Sequence, residues 1–358
     1  MSQTRHLLVP RRTPRLLSIV IPLYNEERSL PLLRPRLTAA LDALPCDAAE
    51  VLFVNDGSGD GTLDLLHEWA TADPRVDVIC LARNFGQQAA ITAGLDEARG
   101  DAVAVMDGDL QDPPEVIAKM LERYCEGYDV VYGRRAGRAG ETWLKRLTAW
   151  GFYRLMRKLV YKDLPADAGD FRLISRPCLE ALRTMRETHR FMRGMVAWVG
   201  FPQTAVEFER PPRSAGQTNY SLRKMLAFAW TAAVSFSPAP LRISLMLGVL
   251  LAIFGLGDGV YSVVRKLTGH AVPGWTSLMV MLCVIGGGVL LSIGILGEYV
   301  GRVFEEVKGR PLYVISQRLS AATMAKPTIT LHTVKLSVNH DPNREDAGAL
   351  AQRRREAQ

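Results

Sequence analysis

The stretch Ala102-Val103-Ala104-Val105-Met106-Asp107-Gly108-Asp109-Leu110-Gln111-Asp112-Pro113-Pro114 sets an apolar run directly before two aspartates that one glycine separates. The apolar run Ala102 to Met106 predicts a strand buried on both faces. Pro113 and Pro114 predict the start of a helix, because proline fits a helix's first turn. A carboxylate pair at the carboxyl end of such a strand faces the crevice where open α/β sheets take up ligands. Its hard oxygens suit Mg²⁺ or Mn²⁺. Asp-x-Asp is common in solvated turns that cap helices, so the strand before it and the prolines after it give this one its weight.

Outward from this stretch the same alternation repeats. Leu17 to Ile21, Val51 to Val54, Val76 to Leu81 and Asp129 to Tyr132 read as further strands. Helical stretches run between them, roughly Glu27 to Leu44, Asp60 to Ala72 and Gln87 to Ala98. Short β-branched runs alternating with helices of this length predict an α/β fold, a mostly parallel sheet with helices on both faces. The loops after the first three strands are also rich in polar groups and glycine. They are Pro22-Leu23-Tyr24-Asn25-Glu26, then Asn55-Asp56-Gly57-Ser58-Gly59-Asp60-Gly61-Thr62, then Arg83-Asn84-Phe85-Gly86. All three share the strand-end edge with Asp107 and Asp109. Asp60 is placed to cap the next helix, and Asp56 to hydrogen-bond a base or ribose.

The carboxyl-terminal half is different. Ile243 to Val264 is a 22-residue apolar run whose one charge is Asp258, and Trp275 to Gly297 is a 23-residue run with none. Each exceeds the roughly 20 residues needed to cross a bilayer, which predicts two transmembrane helices joined by the connector Arg265 to Gly274. Gly255 and Gly259 are spaced for close helix packing, with Gly286 to Gly288 as their counterpart. Asp258 is either functional or close enough to the connector to reach the far interface. Before the hairpin, Glu141 to Lys162 mixes tryptophans at helical spacing with lysine and arginine. Such a helix lies on an anionic membrane surface or packs its apolar stripe inward. Gln217 to Ser237 reads as a second interfacial segment. Arg223, Lys224 and Arg242 precede the hairpin, and Arg302, Lys308 and Arg310 follow it, against Arg265 and Lys266 in the connector. Positive-inside counting puts the soluble domain in the cytoplasm.

These boundaries predict a flexible arm at 1–15, a catalytic domain at 16–215 and a juxtamembrane segment at 216–240. The hairpin follows at 241–300, then a partly disordered cytoplasmic tail at 301–358. The chain has 358 residues and a formal net charge of +7, which suits an anionic membrane surface or phosphorylated substrates. No aromatic-basic signature points to nucleic acid. Cys46, Cys80, Cys125, Cys178 and Cys283 make no CxxC pair and read as reduced structural thiols. The basic amino terminus has no apolar segment behind it, so no signal peptide is expected.

Four strand ends with these residues in this order resemble the family-2 glycosyltransferases of GT-A (Rossmann-like) fold, over roughly residues 16–235. Further motifs narrow the resemblance: Gly133-Arg134-Arg135, Gly169-Asp170-Phe171-Arg172-Leu173, Arg190-Phe191-Met192-Arg193-Gly194, Trp198-Val199-Gly200 and Arg213-Ser214-Ala215-Gly216-Gln217-Thr218-Asn219-Tyr220. With the two spans and Leu296-Gly297-Glu298-Tyr299, they are similar to the polyprenyl-phosphate sugar transferases, of GtrB-like and dolichol-phosphate mannose synthase-like type. The motif departs at Asn219, where relatives often carry lysine, which leaves Lys224 or Arg213 as the cation nearby. No QxxRW motif of the processive synthases is present, which favours transfer of a single sugar.

The resemblance implies roles position by position. Pro22, Tyr24, Glu26, Asp56, Arg83 and Asp107 would bind the nucleotide. Asp107, Asp109 and Gln111 would hold Mg²⁺ or Mn²⁺. Arg135 and Arg146 would meet the acceptor phosphate. Arg172 and Arg213 would face the donor diphosphate or sugar, with Asp109 and Asp170 as catalytic carboxylates. It further implies a nucleotide-sugar donor, UDP-glucose foremost, a polyprenyl phosphate acceptor, a bacterial plasma-membrane location and a tetramer. Mannose, galactose, N-acetylhexosamine or aminoarabinose, or another lipid acceptor such as diacylglycerol, remain open. A non-enzymatic scaffold or transporter fits poorly with only two spans and an intact Asp-Gly-Asp.

Overall fold

The computed structural model describes residues 8–135, 168–209, 239–269 and 274–320. Eight strands form one sheet: β1 Leu16–Leu23, β2 Ala48–Asn55, β3 Val76–Leu81, β4 Ala102–Val105, β5 Val130–Arg135, β6 Ala168–Ser175, β7 Gln203–Phe208 and β8 Ile315–Leu319. Their spatial order is β7-β5-β6-β4-β1-β2-β3-β8. The central run β4-β1-β2-β3 is parallel, as the alternation predicts. The flanks are not uniformly so. β6 runs antiparallel to β4 and to β5, and β8 runs antiparallel to β3.

The helices are α1 Leu30–Ala43, α2 Thr62–Ala72, α3 Gln87–Glu97, α4 Val116–Cys125, α5 Arg176–Thr184 and α6 Met192–Val199. Alternation along the strands splits the core in two. Leu17, Ile19 and Ile21 pack with α1, α2 and α4 on one face. Val20, Leu52 and Val54 pack with α3, α5 and α6 on the other. At Gly94 in α3 an added Cβ would lie 2.2 Å from Val20 Cγ1 and 3.1 Å from Val54 Cγ2. Both neighbours are buried β-branched side chains with nowhere to turn. Gly94→Ala is therefore expected to destabilise the fold by about 2 kcal/mol. A thermal melt of the purified protein checks this, and an unchanged midpoint would mean that α3 can slide on the sheet.

One expectation about the chain ends needs correction. The arm is not loose throughout. The Arg11 guanidinium donates to Asp129 Oδ1 at 3.0 Å and to the Gly127 carbonyl at 2.9 Å, and the Arg11 N–H bonds the Cys125 carbonyl. The tail also returns to the domain. Ile315–Leu319 pairs as β8 along β3, and the Tyr313 hydroxyl donates to Asp96 Oδ2 at 2.7 Å. The polar composition of this segment hides a strand because only its two end residues are buried, Ile315 against one face of the sheet and Leu319 against the other, with a register shift between them. Residues 1–7 and the polar tail beyond 320 lie outside the described residues.

The two apolar runs are helices α7 Ala239–Leu267 and α8 Trp275–Val307, of 29 and 33 residues. At 1.5 Å per residue they measure about 44 Å and about 50 Å, against a hydrocarbon core of about 30 Å. Both are long and apolar enough to cross a membrane. Their large side chains are exposed along the whole length, as with Leu245, Phe254 and Leu290, a surface suited to lipid and not to water. The glycine expectation holds in part. A Cβ added at Gly255 would lie 3.8 Å from Met281 and Ile285, and one at Gly288 would meet Leu251 at 2.3 Å, whereas at Gly259, Gly286 and Gly287 it would meet open space.

Candidate functional site

The three loops after β1, β2 and β3 are tied into one rim. The Asn25 N–H donates to Ser58 Oγ, and Asn25 Oδ1 accepts the Gly59 N–H. The Glu27 N–H donates to Asp60 Oδ2, and Glu27 Oε2 accepts the Gly61 N–H. Asn25 takes a φ of +56°, a region asparagine tolerates. Gly57 is required where it stands, with φ +69° and a Cβ position only 2.6 Å from the Arg83 carbonyl carbon. Asp56 completes the rim. It is buried, and its two carboxylate oxygens accept the Phe85 N–H at 2.7 Å and the Gly86 N–H at 2.9 Å. The expected base-binding residue thus also holds the third loop in place.

These loops and the Asp-Gly-Asp turn enclose a cleft of about 430 Å³. Pro22, Tyr24, Glu26, Asp56, Asp107 and Asp109 all line it. Asn84 and Gly86, quoted within the third loop without individual roles, line it too, as do Gln87 and Ala90, which sequence reasoning did not single out. Arg83 stands apart, its guanidinium 4.3 Å from the Phe85 ring. Gln111 is also outside the lining. It is buried, and its Nε2 has no hydrogen-bond partner.

The Asp-Gly-Asp turn is strained. Leu110 adopts φ +63° while its side chain is buried in the core, which costs about 1–2 kcal/mol. The kink lets Asp109 face the cleft while Leu110 points away from it. Asp109 Oδ1 accepts the Gln111 N–H at 3.1 Å, and Asp112 Oδ2 accepts the Asp107 N–H at 3.2 Å. In the β4–β6 register Val105 pairs with Arg172. Two residues further along, Asp170 lies level with Asp107. Burial, then Asp112, Asp170 and Asp109, push the Asp107 carboxyl up to about 7, with Arg193 pulling the other way. The carboxylates of Asp107, Asp109, Asp112 and Asp170 outnumber the cations beside them, Arg172 and Arg193. Among the described residues no three acidic, histidine or cysteine side chains form a metal cage. The turn therefore offers a partial cation site that suits Mg²⁺ or Mn²⁺ only with oxygens supplied by a ligand such as a diphosphate.

Asp170 is the second centre. It is buried, and its Oδ1 accepts Arg193 Nε at 3.1 Å and its Oδ2 accepts Gln88 Nε2 at 3.2 Å. Arg172 NH2 lies 3.6 Å from Asp170 Oδ1 and donates to the Gly169 carbonyl at 2.9 Å. Burial brings the Arg172 guanidinium down to about 10, and Asp170 opposes that shift, so it stays charged at neutral pH. Gln87 Nε2 donates to Asp107 Oδ1 at 2.8 Å, so the adjacent glutamines that open α3 brace one carboxylate each. Their place directly after Arg83-Asn84-Phe85-Gly86 was the signal available in the sequence. Arg193 lay within a quoted motif without an assigned role. Arg135 ends β5, which runs parallel to β4 through two antiparallel pairings, so it lies on the ligand edge of the sheet. Arg146, Arg213, the Glu141 to Lys162 helix and the Gln217 to Ser237 segment lie outside the described residues.

Comparison with known proteins agrees with this geometry. The model of the family described as "Glycosyl transferase family 2" matches residues 18–183, and that of the "GtrB C-terminal hairpin" matches residues 239–303. An uncharacterized glycosyltransferase of Bacillus subtilis, YkcC, is 44% identical over 301 residues, covering 84% of this chain and 93% of the relative. The Synechocystis relative sll0501, likewise an uncharacterized glycosyltransferase, is 44% identical with 84% and 94% covered. The SfII prophage-derived bactoprenol glucosyl transferase of Shigella flexneri is 38% identical over 302 residues, covering 84% of this chain and 97% of the relative.

Proposed function

The chain belongs to glycosyl transferase family 2 and is a glycosyltransferase with a GtrB-type hairpin, and from that premise we propose that it moves one glucose from UDP-glucose onto polyprenyl phosphate. The observation that carries this reading is a nucleotide-sized cleft with a carboxylate floor, continuous in one chain with a two-span hairpin. Similarity to bactoprenol glucosyl transferases over both parts supports the acceptor and the sugar. The lipid-linked sugar would then serve cell-envelope glycan modification. The enzyme would sit in a bacterial plasma membrane with its catalytic domain in the cytoplasm.

The reaction is displacement at the anomeric carbon. A lipid phosphate oxygen forms the new bond to that carbon, the bond to the UDP oxygen breaks, and the configuration inverts. An ionised phosphate needs no strong general base, so catalysis rests on positioning and electrostatics. Pro22, Tyr24, Glu26 and Asp56 shape the nucleotide end of the cleft. Asp107 and Asp109 would hold Mg²⁺ or Mn²⁺, with Gln111 as a third ligand after rotation of its buried amide. The ion would supply positive charge to the leaving diphosphate. Asp170 and Arg172 would orient the sugar, and Arg135, Arg146 and Arg213 would serve the acceptor and diphosphate charges.

The test is a donor panel. Purified enzyme with undecaprenyl phosphate should give one lipid product whose mass rises by a single hexose with UDP-glucose, and little with GDP-mannose or UDP-N-acetylglucosamine. A product only from another donor would replace the sugar. Product on diacylglycerol, and none on the lipid phosphate, would replace the acceptor.

A further inference from the structure

The second apolar helix, α8, runs on for ten residues past the end of its uncharged stretch. Glu305 and Glu306 stand eight and nine residues beyond Gly297, where the apolar run stops. That is about 12–14 Å along the axis. Both reach the segment between α5 and α6. Glu306 Oε1 accepts the Thr188 N–H at 2.7 Å, and Glu305 Oε2 lies 2.6 Å from His189 Nε2. Four residues after His189 comes Arg193, whose Nε is bonded to Asp170. Between them the Met192 N–H donates to Gln88 Oε1 at 2.9 Å, and the same glutamine's Nε2 holds the other oxygen of Asp170. Two sets of short contacts, joined by the backbone of residues 188–193, thus link this helix to a buried carboxylate of the site.

We propose that Glu306 is a positioning residue for the transfer, setting the 188–193 segment so that Arg193 stays on Asp170. The inference rests on the reading that Asp170 faces the transferred sugar or the acceptor. Its physical basis is that the one segment controls two of the three partners of Asp170 among the described residues, leaving only Arg172 outside its reach. Arg193 belongs to that segment, and Gln88 is oriented by its Met192 N–H. If the segment moves away, the carboxylate loses one partner and the other loses its orientation. Asp170 then stands level with Asp107 with less compensation, in an already acidic site. The far side of α8 is fixed as well, because the chain runs on into β8 on the sheet edge. The membrane helix therefore cannot drift relative to the domain without straining this contact. In this way the depth of the lipid phosphate and the geometry of the orienting carboxylate are set by one helix.

The test uses the full-length enzyme in lipid nanodiscs with saturating donor and acceptor. Glu306 is exposed, so its variants should fold. Glu306→Ala is expected to lower kcat about fivefold with the donor KM unchanged. Glu306→Gln keeps a carbonyl oxygen for the Thr188 N–H and should recover most of that loss. Arg193→Ala should lower kcat about tenfold or more, and the Glu306→Ala, Arg193→Ala double variant should be no worse than Arg193→Ala alone. Unchanged kcat in Glu306→Ala, additive losses in the double variant, or a loss confined to donor KM would each overturn the proposal. Asp170→Asn separates this from the function reading. If it is inactive while Glu306→Ala is normal, the helix contact fails and the site stands. If it turns over fully, the assignment of Asp170 itself fails.

Discussion

Asp109→Asn is expected to abolish sugar transfer, by at least about 10³-fold or ~4 kcal/mol of barrier, in a protein that remains folded. The two halves of this expectation come from different atoms. Asp109 Oδ1 accepts the Gln111 N–H, and an asparagine keeps a carbonyl oxygen for that bond. The turn should therefore hold, with Leu110 still in its left-handed conformation. What is lost is negative charge on the cleft floor, and a neutral amide is a poor ligand for a hard divalent cation. The leaving diphosphate would then depart with its charge uncompensated. Product mass and a melting curve for the same preparation measure both halves. Full turnover in the mutant, or wild-type turnover undiminished in excess EDTA, would remove the cation from the mechanism.

The same floor shows what the sequence can reveal and what it cannot. Asp107 and Asp109 were legible because a buried strand and a proline pair bracket them, which fixes their place in any parallel sheet. Asp56 and Glu26 were legible for the same reason, as residues one to three positions past a strand. Asp170 was legible as part of a motif, but its partners were not. β6 pairs antiparallel with β4, a pairing that no local pattern encodes, and only this register sets Asp170 level with Asp107. Gln88 and Arg193 meet on Asp170 across 105 positions of sequence. β8 escaped notice because it buries only its two end residues, one on each face of the sheet, with a bulge between them that breaks any period-2 pattern. Local periodicity thus marks strand ends, and long-range pairing decides which of them face each other.

Asp56→Ala is expected to raise the Kd for UDP by about 10²-fold, with a smaller change in kcat at saturating donor. The Phe85 and Gly86 N–H groups would lose their acceptor, at about 1–3 kcal/mol each if they stay buried. The loop can avoid part of that cost by moving into solvent, and Asn84 and Gly86 on the cleft wall would move with it. Donor affinity should fall because the wall is displaced, even where the nucleotide never touched the carboxylate. Asp56→Asn should do little better. Its one carbonyl oxygen can serve one N–H, while its NH₂ is turned toward the other donor. Calorimetry with UDP and with GDP separates this role from direct base recognition. A displaced wall weakens both nucleotides alike, whereas a lost base contact weakens UDP and leaves GDP unchanged. Unaltered UDP binding in both variants would show that the β3 loop holds its position without Asp56, and the rim would then owe its form to the Asn25 and Glu27 bonds alone.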